Sequence, residues 1–394
     1  MADRADSERI VSDDAAELLH ILRDGVPRTR AELAQMTGLA RSTIAVRLDA
    51  LTRERLITAA GDGVSSGGRP PSQIVFNPSA RTVLAIDLGA THSVIALTDL
   101  AGNILCSESH QLKISDGPRR VLDEAMASAT TLMSTHGVKA GDLVGIGIGV
   151  PGPVEHTTGT PISPPIMPGW DGFVIPEYVE GVLGARVLVD NDVNLLALGE
   201  RARAWPDHDD LLFVKIATGI GAGIMSSGVL QRGAQGSAGD LGHVRVPVTP
   251  EGILSSDAFG DELEAVASGP AIARALTQAG ISATTSADVV ALAQTGNPDV
   301  LAMIRAAGKA LGEVLATCVN LLNPSIIVIG GSLSRVGEQL LAGVREVVYQ
   351  RSTPLATRNL TITESRSGET GGAVGAALMV IHDALDPSPA GRNR

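Results

Sequence analysis

The sequence predicts an α/β protein in which a small helical unit precedes a larger body of buried strands and helices. Between Asp13 and Arg53, apolar residues recur at intervals of three and four, the spacing of helices with one buried face. From Val83 onward, short runs of Val, Ile, Leu and Ala end in glycine-rich or polar turns, as the strands of a buried sheet do. The chain has 45 Gly and only 2% aromatic residues, which favours tightly turned α/β layers. Its 394 residues suffice for two or three domains.

Three helices are predicted in the first 53 residues. The first, Asp13–Arg23, is apolar on one face. Thr29 and Glu32 match a capping box that opens the second helix, which ends at a Gly turn. The third, Arg41–Arg53, exposes Arg, Ser and Thr at its start. Two helices joined by a short Gly turn, the second presenting such residues, form a helix-turn-helix arrangement.

A wing of two strands is predicted after these helices. Leu56–Ala59 and Ile74–Phe76 are short β-type runs, and the loop Gly61–Pro71 between them is rich in Gly, Ser and Pro. Arg69 in this loop can reach a phosphate or a minor groove. The predicted DNA-binding residues are therefore Arg41, Ser42, Thr43, Arg47 and Arg69.

The charge distribution is compatible with a small DNA-binding surface on an acidic protein. The formal net charge is -12; residues 1–75 hold ten Arg and eleven Asp or Glu, a net of -1, which leaves -11 on the remainder. Within Arg28–Arg55 there are six Arg against three acidic residues, so this segment is locally positive. A helical protein-interaction module is the alternative for this unit, and the wing favours DNA.

The first motif of the body is a strand that ends in a polar turn. Val83–Ile86 is followed by Asp87-Leu88-Gly89-Ala90-Thr91 and then by two further strands. Gly89 lets the backbone approach a phosphate, Thr91 offers a hydroxyl, and Asp87 can hold a magnesium ion through water. Such a turn is a weak signal alone, because any hairpin can contain it.

Two more glycine-rich strand ends occur in the second half of the body. Leu211–Ile216 runs into Ala217–Gly223, a loop of the kind that surrounds phosphates with backbone N–H groups. Ser325–Ile329 ends in a Gly pair where an adenine ring could lie. The predicted nucleotide-binding residues are Asp87, Gly89, Thr91, Thr218, Gly219, Gly221, Gly330 and Gly331. The alternative for each glycine is that it only makes a turn of a twisted sheet.

Polar residues also follow the strand Val187–Val189. Asp192, at the carboxyl edge of a sheet, could hold a substrate hydroxyl and, beside a phosphoryl donor, take its proton. The alternative is a solvated turn that caps the helix Leu195–Ala204. Further on, Asp240 and His243 stand three residues apart in a Gly-bracketed loop and could bind vicinal hydroxyls.

These motifs together resemble the ROK family of bacterial repressors and sugar kinases, over nearly the whole chain from the helix-turn-helix to Leu385. The resemblance implies a winged helix-turn-helix over residues 1–76, a linker over 77–81, and a two-lobed actin-like (ribonuclease-H-like) sugar-kinase fold over 82–385. It places the second lobe from about residue 205, and residues 386–394 form a flexible tail.

The resemblance also assigns roles to individual positions. Asn191 and Asp192 match the sugar-binding Asn-Asp pair, whose Asp is the catalytic base in kinase members. Asp240 stands where the family usually has Glu, and His243 matches a His that touches both sugar and zinc. Glu264 matches a further sugar-contacting Glu. The implied sugar-binding set is Asn191, Asp192, Asp240, His243 and Glu264.

Several departures from the family pattern bear on cofactors. The three Cys of the family's zinc loop correspond to Ser255, Asp257 and Glu262, an oxygen set that disfavours structural zinc. Cys106 and Cys318 are the only cysteines, so a multi-Cys metal site is excluded. No metal site is predicted; ATP with magnesium remains a candidate cofactor.

Other departures concern the ligand pocket. Ala90 adds a methyl group where a phosphate would approach, and Pro164–Pro168 lacks an Asn that the family commonly has. The shorter Asp240 changes the reach toward a sugar by one methylene, worth ~1–3 kcal/mol in selectivity.

The sequence therefore predicts a transcriptional regulator, most simply a repressor, whose body senses a sugar or sugar phosphate and alters operator binding. The expected partners are double-stranded operator DNA, the effector and a second copy in a homodimer or dimer of dimers. With no long apolar run and a charged N-terminus, we expect a cytoplasmic protein without a membrane contact. The alternative is an ATP-dependent sugar kinase with Asp192 as base; a pure scaffold leaves the polar cluster unexplained.

Overall fold

The computed structural model describes residues 10–62, 72–246 and 260–386. The N-terminal head contains three helices and a three-stranded antiparallel sheet of order β1-β3-β2. Its elements are α1 (Asp13–Leu22), β1 (Arg28–Thr29), α2 (Arg30–Thr37), α3 (Arg41–Arg53), β2 (Ile57–Asp62) and β3 (Ser72–Phe76). The predicted helices and both wing strands are confirmed, and β1 is an additional short strand. Arg69 and most of the predicted wing loop lie outside the described residues.

Local signals explain how the head helices begin and end. Thr29 accepts a hydrogen bond from the Glu32 N–H while the Glu32 carboxylate accepts from the Thr29 N–H, so the predicted capping box is present. Gly38 ends α2 in the left-handed region, at φ 71°, which a side chain would disfavour. Leu18, Leu33 and other leucines and isoleucines on the inner faces are fully buried and form the head's core.

The first lobe of the body contains a five-stranded sheet of order β10-β7-β4-β5-β6. Strands β4, β5 and β6, the predicted strand and the two that follow it, are antiparallel neighbours, whereas β7 and β10 run parallel to β4. The elements are β4 (Thr82–Leu88), β5 (Ser93–Thr98), β6 (Ile104–His110), α4 (Pro118–Thr135), β7 (Leu143–Val150), β8 (Val154–Glu155), β9 (Thr160–Pro161), α5 (Ile175–Leu183), β10 (Val187–Asn191) and α6 (Asp192–Ala204).

The second lobe contains a five-stranded sheet of order β13-β12-β11-β14-β15, in which β14 and β15 continue β11 in parallel. Its elements are β11 (Leu211–Ile216), β12 (Ile220–Ser226), β13 (Val229–Gln231), α7 (Leu263–Ala267), α8 (Gly269–Gln278), α9 (Ser286–Gln294), α10 (Pro298–Leu322), β14 (Ile326–Gly330), α11 (Glu338–Arg351), α12 (Pro354–Thr357) and β15 (Thr361–Glu364). A last helix, α13 (Gly371–Leu385), follows.

Helix α13 returns to the first lobe. A Cβ atom on Gly147 of β7 would overlap the Ala376 carbonyl, and one on Gly199 of α6 would overlap the Gly371 carbonyl. These glycines therefore let α13 pack closely on the first sheet and across α6. The prediction places all residues from about 205 to 385 in the second lobe, whereas α13 packs against the first lobe. None of the described helices is both long and apolar enough to span a bilayer.

Candidate functional site

The site is built around the junction between β10 and α6. Asn191 is the N-cap of α6: its Oδ1 accepts the Val193 N–H at 2.9 Å, and its Nδ2 donates to the Gly152 carbonyl at 2.8 Å. Asp192 is therefore the first residue of the helix and not part of a preceding turn, because the helix begins three residues earlier than the predicted Leu195. Asp192 is only 2% exposed, and the helix N-terminus favours its negative charge.

A lysine that the sequence motifs did not include pairs with this carboxylate. Lys215 projects from β11 of the second lobe, and its Nζ forms an ion pair with Asp192 Oδ2 of the first. Burial lowers the pKa of Lys215, but the nearby Asp192 and Asp87 carboxylates outweigh it, so the pKa lies above its ordinary value. The available signal was a single charged residue within an otherwise apolar strand.

Asp87, at the end of β4, belongs to the same cluster. A Cβ atom on Gly372 of α13 would overlap the Asp87 carboxylate, and one on Gly149 of β7 would lie 3.2 Å from it. Burial raises the pKa of Asp87 to about 7, the charge of Asp192 adds to this rise, and Lys215 opposes it. Asp87 thus lies between two backbones, within the electrostatic reach of Asp192 and Lys215.

The predicted phosphate turn after β4 is partly covered by a side chain. A Cβ atom on Gly89 would lie 2.8 Å from Cε1 of the His92 ring. Burial and then the charge of Lys215 lower the pKa of His92. Thr91 is exposed beside it, and its hydroxyl remains open to a ligand.

The other predicted nucleotide-binding glycines have packing roles in the structure. A Cβ atom on Gly221 would lie 3.3 Å from Val193, one on Gly330 would overlap the Phe213 ring, and one on Gly331 would overlap the Ile216 carbonyl. Gly331 also has φ 88°, which side chains rarely adopt. Each of these three glycines thus has a packing neighbour at its Cβ position, and their role toward a phosphate or adenine stays a prediction; Thr218 is exposed on the turn between β11 and β12.

The predicted sugar contacts of the second lobe lie beside this same turn. Glu264, in the first turn of α7, accepts the Ile220 N–H at 2.9 Å, and Gly219 leaves room for its carboxylate. Asp240 and His243 hydrogen-bond to each other at 2.8 Å, and this bond raises the pKa of His243. Both side chains are exposed, so they can receive a ligand.

A second buried carboxylate connects the two lobes. Asp190 is 2% exposed and accepts hydrogen bonds from Arg232 Nε at 2.7 Å and Asn194 Nδ2 at 2.8 Å. His156 lies 3.7 Å from the same carboxylate. Arg232 follows β13 and Asp190 lies in β10, so the pair joins the lobes. Nothing in the sequence indicated that Arg232 faces Asp190.

The zinc loop can be described only in part. Ser255 and Asp257 lie outside the described residues, and Glu262 is half-buried. Within the described ranges, no cluster of three or more His, Cys, Asp and Glu residues is arranged to hold a metal ion.

The predicted DNA-binding side chains of α3 differ in their surroundings. Arg41 and Ser42 are exposed at the start of the helix, and Thr43 is half-buried. Arg47 instead donates to Glu17 at 2.9 Å and to Asp14 at 3.0 Å, both on α1, and its side chain is 12% exposed. Arg47 therefore holds α3 against α1, a role that the sequence pattern did not indicate.

The head and body meet at the end of α13. Arg23 of α1 forms an ion pair with Asp386, the residue that caps α13. His382, one turn earlier, lies exposed at this contact, and desolvation of its ring lowers its pKa to about 4. One helix of 15 residues therefore touches Asp87 at its start and Arg23 through its cap.

Comparisons with known proteins agree with this architecture. A sequence profile described as "ROK family" matches residues 83–383. The chain is 29% identical over 382 residues to a putative xylose repressor of Caldicellulosiruptor sp. (strain Rt8B.4), covering 93% of this chain and 95% of that protein. It is 30% identical over 316 residues to the glucokinase of Thermotoga maritima, covering 76% of this chain and 96% of that protein.

Among solved structures, a ROK family transcriptional regulator, described as a homologue of the E. coli MLC protein, superposes with a TM-score of 0.78. The two chains are 26% identical, and the match covers 94% of this chain and 96% of the other. The head is therefore included in the structural similarity.

Proposed function

The chain belongs to the ROK family, and from this premise we propose that it is a DNA-binding transcriptional regulator whose body binds a sugar and thereby changes operator affinity. The observation that carries the proposal is α13, which connects the acidic cleft to the winged head. The repressor relative and the regulator structure match over head and body, whereas the glucokinase relative matches about three quarters of the chain. A repressor is the simplest form of this function.

The head supports binding to double-stranded operator DNA. The start of α3 exposes Arg41 and Ser42, which suits entry of this helix into a major groove. Thr43 lies beside them. Arg47 acts indirectly in this proposal, by fixing the angle between α3 and α1, and Arg69 of the wing is proposed as a phosphate or minor-groove contact. Two heads of a homodimer, or of a dimer of dimers, would read two half-sites.

The cleft supports a sugar ligand. Asn191, Asp192, Asp240, His243 and Glu264 offer the carboxylates, amide and imidazole that bind hydroxyl groups. Asp192, Asp240 and Glu264 are acidic, and Lys215 is paired with Asp192 alone among them. A phosphorylated sugar would bring further negative charge to this surface, so we propose an uncharged sugar as the effector.

The experiment is a two-step measurement on the full chain, which we expect to be a cytoplasmic protein in its host. A thermal-shift panel of neutral sugars and their phosphates identifies the ligand, because binding to the folded state alone raises its stability. Fluorescence anisotropy with operator DNA, selected from the host genome by the protein itself, then compares affinity with and without that sugar. If the protein binds no DNA sequence selectively, the proposal that it is a transcriptional regulator is refuted.

An ATP-dependent sugar kinase is the second candidate, favoured by the buried Asp192 at a helix N-terminus and by the glucokinase relative. In that case Asp192 is the catalytic base. A coupled ATPase assay over a panel of hexoses, with Asp192→Asn as control, tests it. Sugar-dependent turnover that disappears in the variant would make the kinase the better assignment.

A further inference from the structure

Lys215 pairs with Asp192 and lies near Asp87. In a kinase, Asp87 would hold the metal ion and Asp192 would bind the substrate hydroxyl. Lys215 extends from β11 of the second lobe, where it pairs with Gly221 of β12 on one side and with Gly330 of β14 on the other. Its ammonium crosses to Asp192 of the first lobe, whose side chain is 4% exposed. Asp87 lies in the same electrostatic cluster. A positive charge is therefore already supplied to these carboxylates by the protein chain.

The residues present do not fit a divalent metal ion at this place. Magnesium requires near-octahedral oxygen ligands and keeps several waters, so it needs open space around its carboxylate. The half-buried Asp87 carboxylate is already in close contact with two backbones, because a Cβ atom on Gly372 would overlap it and one on Gly149 would lie 3.2 Å from it. The ammonium of Lys215 would repel a dication that approached Asp192.

The neighbouring phosphate turn gives the same indication from a different side chain. The His92 ring lies over Gly89, where a phosphate would need to approach the backbone. Phe213 and the Ile216 carbonyl likewise occupy the positions that a Cβ atom on Gly330 and on Gly331 would take. The chain's own groups thus lie close to three of the predicted nucleotide-binding glycines.

We propose that Lys215 is a specificity-determining residue, which takes the place of a divalent metal ion between the lobes and makes the cleft a site for sugar without nucleotide. Lys215 occupies Oδ2 of Asp192, which leaves Oδ1 to accept a hydrogen bond from a sugar hydroxyl. The ion pair also connects the two lobes beside the proposed sugar. A sensor needs such a connection, and a metal ion would have to provide it if Lys215 were absent. The inference rests on the proposed function and names the residue that separates it from the kinase.

The test measures metal binding directly on the full chain and needs no activity. Mn²⁺ is titrated into wild type, Lys215→Thr and Lys215→Arg, with bound metal followed by electron paramagnetic resonance. Each protein is also melted with and without about 5 mM Mn²⁺ and a non-hydrolysable ATP analogue. We expect no Mn²⁺-dependent shift in wild type or Lys215→Arg, and Mn²⁺ binding at least about tenfold tighter in Lys215→Thr. Lys309→Thr, which removes a lysine paired with Glu346 on the surface, is the matched control and should resemble wild type.

Loss of the lysine can also unfold the protein, because Asp192 would be left buried and unpaired. In that case the double variant Lys215→Thr/Asp192→Asn, which removes both charges, should fold again; failure to do so would overturn the proposal. Tight Mn²⁺ or nucleotide binding by wild type, or no gain in a folded Lys215→Thr, would also overturn it. Wild-type sugar and operator binding are measured separately, so failure of the regulator is distinguishable from failure of this role.

Discussion

Asp386 pairs with Arg23, and this ion pair joins the end of the body's last helix to the end of the first helix of the DNA-binding head, where His20 also lies 3.7 Å from the same carboxylate. At its other end the same helix lies against Asp87, through Gly372. A change in the cleft that shifts α13 therefore reaches α1 without passing through a flexible segment. Coupling of this kind is measurable as the factor by which the sugar changes DNA affinity.

The first prediction concerns this contact. Arg23→Ala should leave sugar affinity and operator affinity nearly unchanged when each is measured alone, but should reduce the sugar-dependent change in operator affinity. A coupling of about 1–3 kcal/mol is usual for allosteric proteins, and we expect most of it to disappear. Anisotropy titrations with and without sugar give the value.

The matched control is Arg186→Ala. Arg186 pairs with Asp383 on the same helix but from the side of β10, at 2.7 Å. Coupling that survives in Arg23→Ala, or that is lost equally in both variants, would contradict transmission through the Arg23 contact.

The second prediction separates two arginines of α3. Arg41→Ala should weaken operator binding and lower the salt dependence of the binding constant by about one ion for each phosphate that Arg41 neutralises, with stability unchanged. Arg53→Ala, an exposed residue at the other end of α3, is the control. An equal decrease of DNA affinity in both variants would show that only overall charge matters.

Arg47→Ala should behave differently, because its guanidinium is held by Asp14 and Glu17. We expect a loss of about 0.5–1 kcal/mol in the free energy of unfolding, in the range of partly exposed ion pairs. Its weaker DNA binding should be accompanied by a lower melting temperature, and an unchanged melting curve would contradict the role in holding α3 to α1.

These residues show what the sequence could and could not predict. Asp240 with His243 and Thr29 with Glu32 are near neighbours in the chain, so local spacing was sufficient to propose each pair, whereas Asn191 with Asp192 was assigned as a pair from the family resemblance. Lys215 and Asp192, Arg232 and Asp190, and Arg23 and Asp386 are brought together only by the packing of separate elements. The strands and helices followed from periodicity and turn residues, whereas these three ion pairs depend on how the layers stack.

The glycines illustrate the same limit. Gly221, Gly330 and Gly331 end or follow strands as phosphate-binding glycines do, and the sequence could not distinguish that from close packing. In the structure Val193, Phe213 and the Ile216 carbonyl occupy the space in front of them. The neighbour that requires a glycine lies on another element in each case, so no local pattern reveals it.

The third prediction is a pH dependence of stability at the head–body contact. His382 is solvent-exposed and lies beside Asp386, Arg23 and Arg201, with His20 also facing it, and desolvation of its ring lowers its pKa to about 4. The unfolded chain takes up this proton near pH 6.5 and the folded protein only near pH 4. The stability that the neutral imidazole contributes is therefore present above pH 6.5 and is lost as the pH falls from 6.5 toward 4, by an amount that solvent screening of the exposed ring reduces.

His382→Gln should reduce this slope, since glutamine does not titrate. Urea unfolding at intervals between pH 4 and 8 gives the free energies, and the two proteins should differ most in slope below pH 6.5. Parallel pH profiles for wild type and variant would show that His382 is not the group responsible.

The last prediction concerns the buried pair between the lobes. Arg232→Ala leaves Asp190 with its amide donors but without its counter-charge, at a position only 2% exposed. Removing one partner of a buried ion pair costs ~3–5 kcal/mol, and the partial exposure of Arg232 brings the expected loss to the lower part of that range or below. Urea unfolding should show this loss, and Arg232→Lys should restore part of it. Arg201→Ala, which breaks a pair with the largely exposed Asp209, should cost less.

Because Asp190 directly precedes the Asn191–Asp192 pair, sugar affinity should fall in Arg232→Ala as well. Unchanged sugar affinity with reduced stability would show that the Arg232–Asp190 pair supports the fold alone.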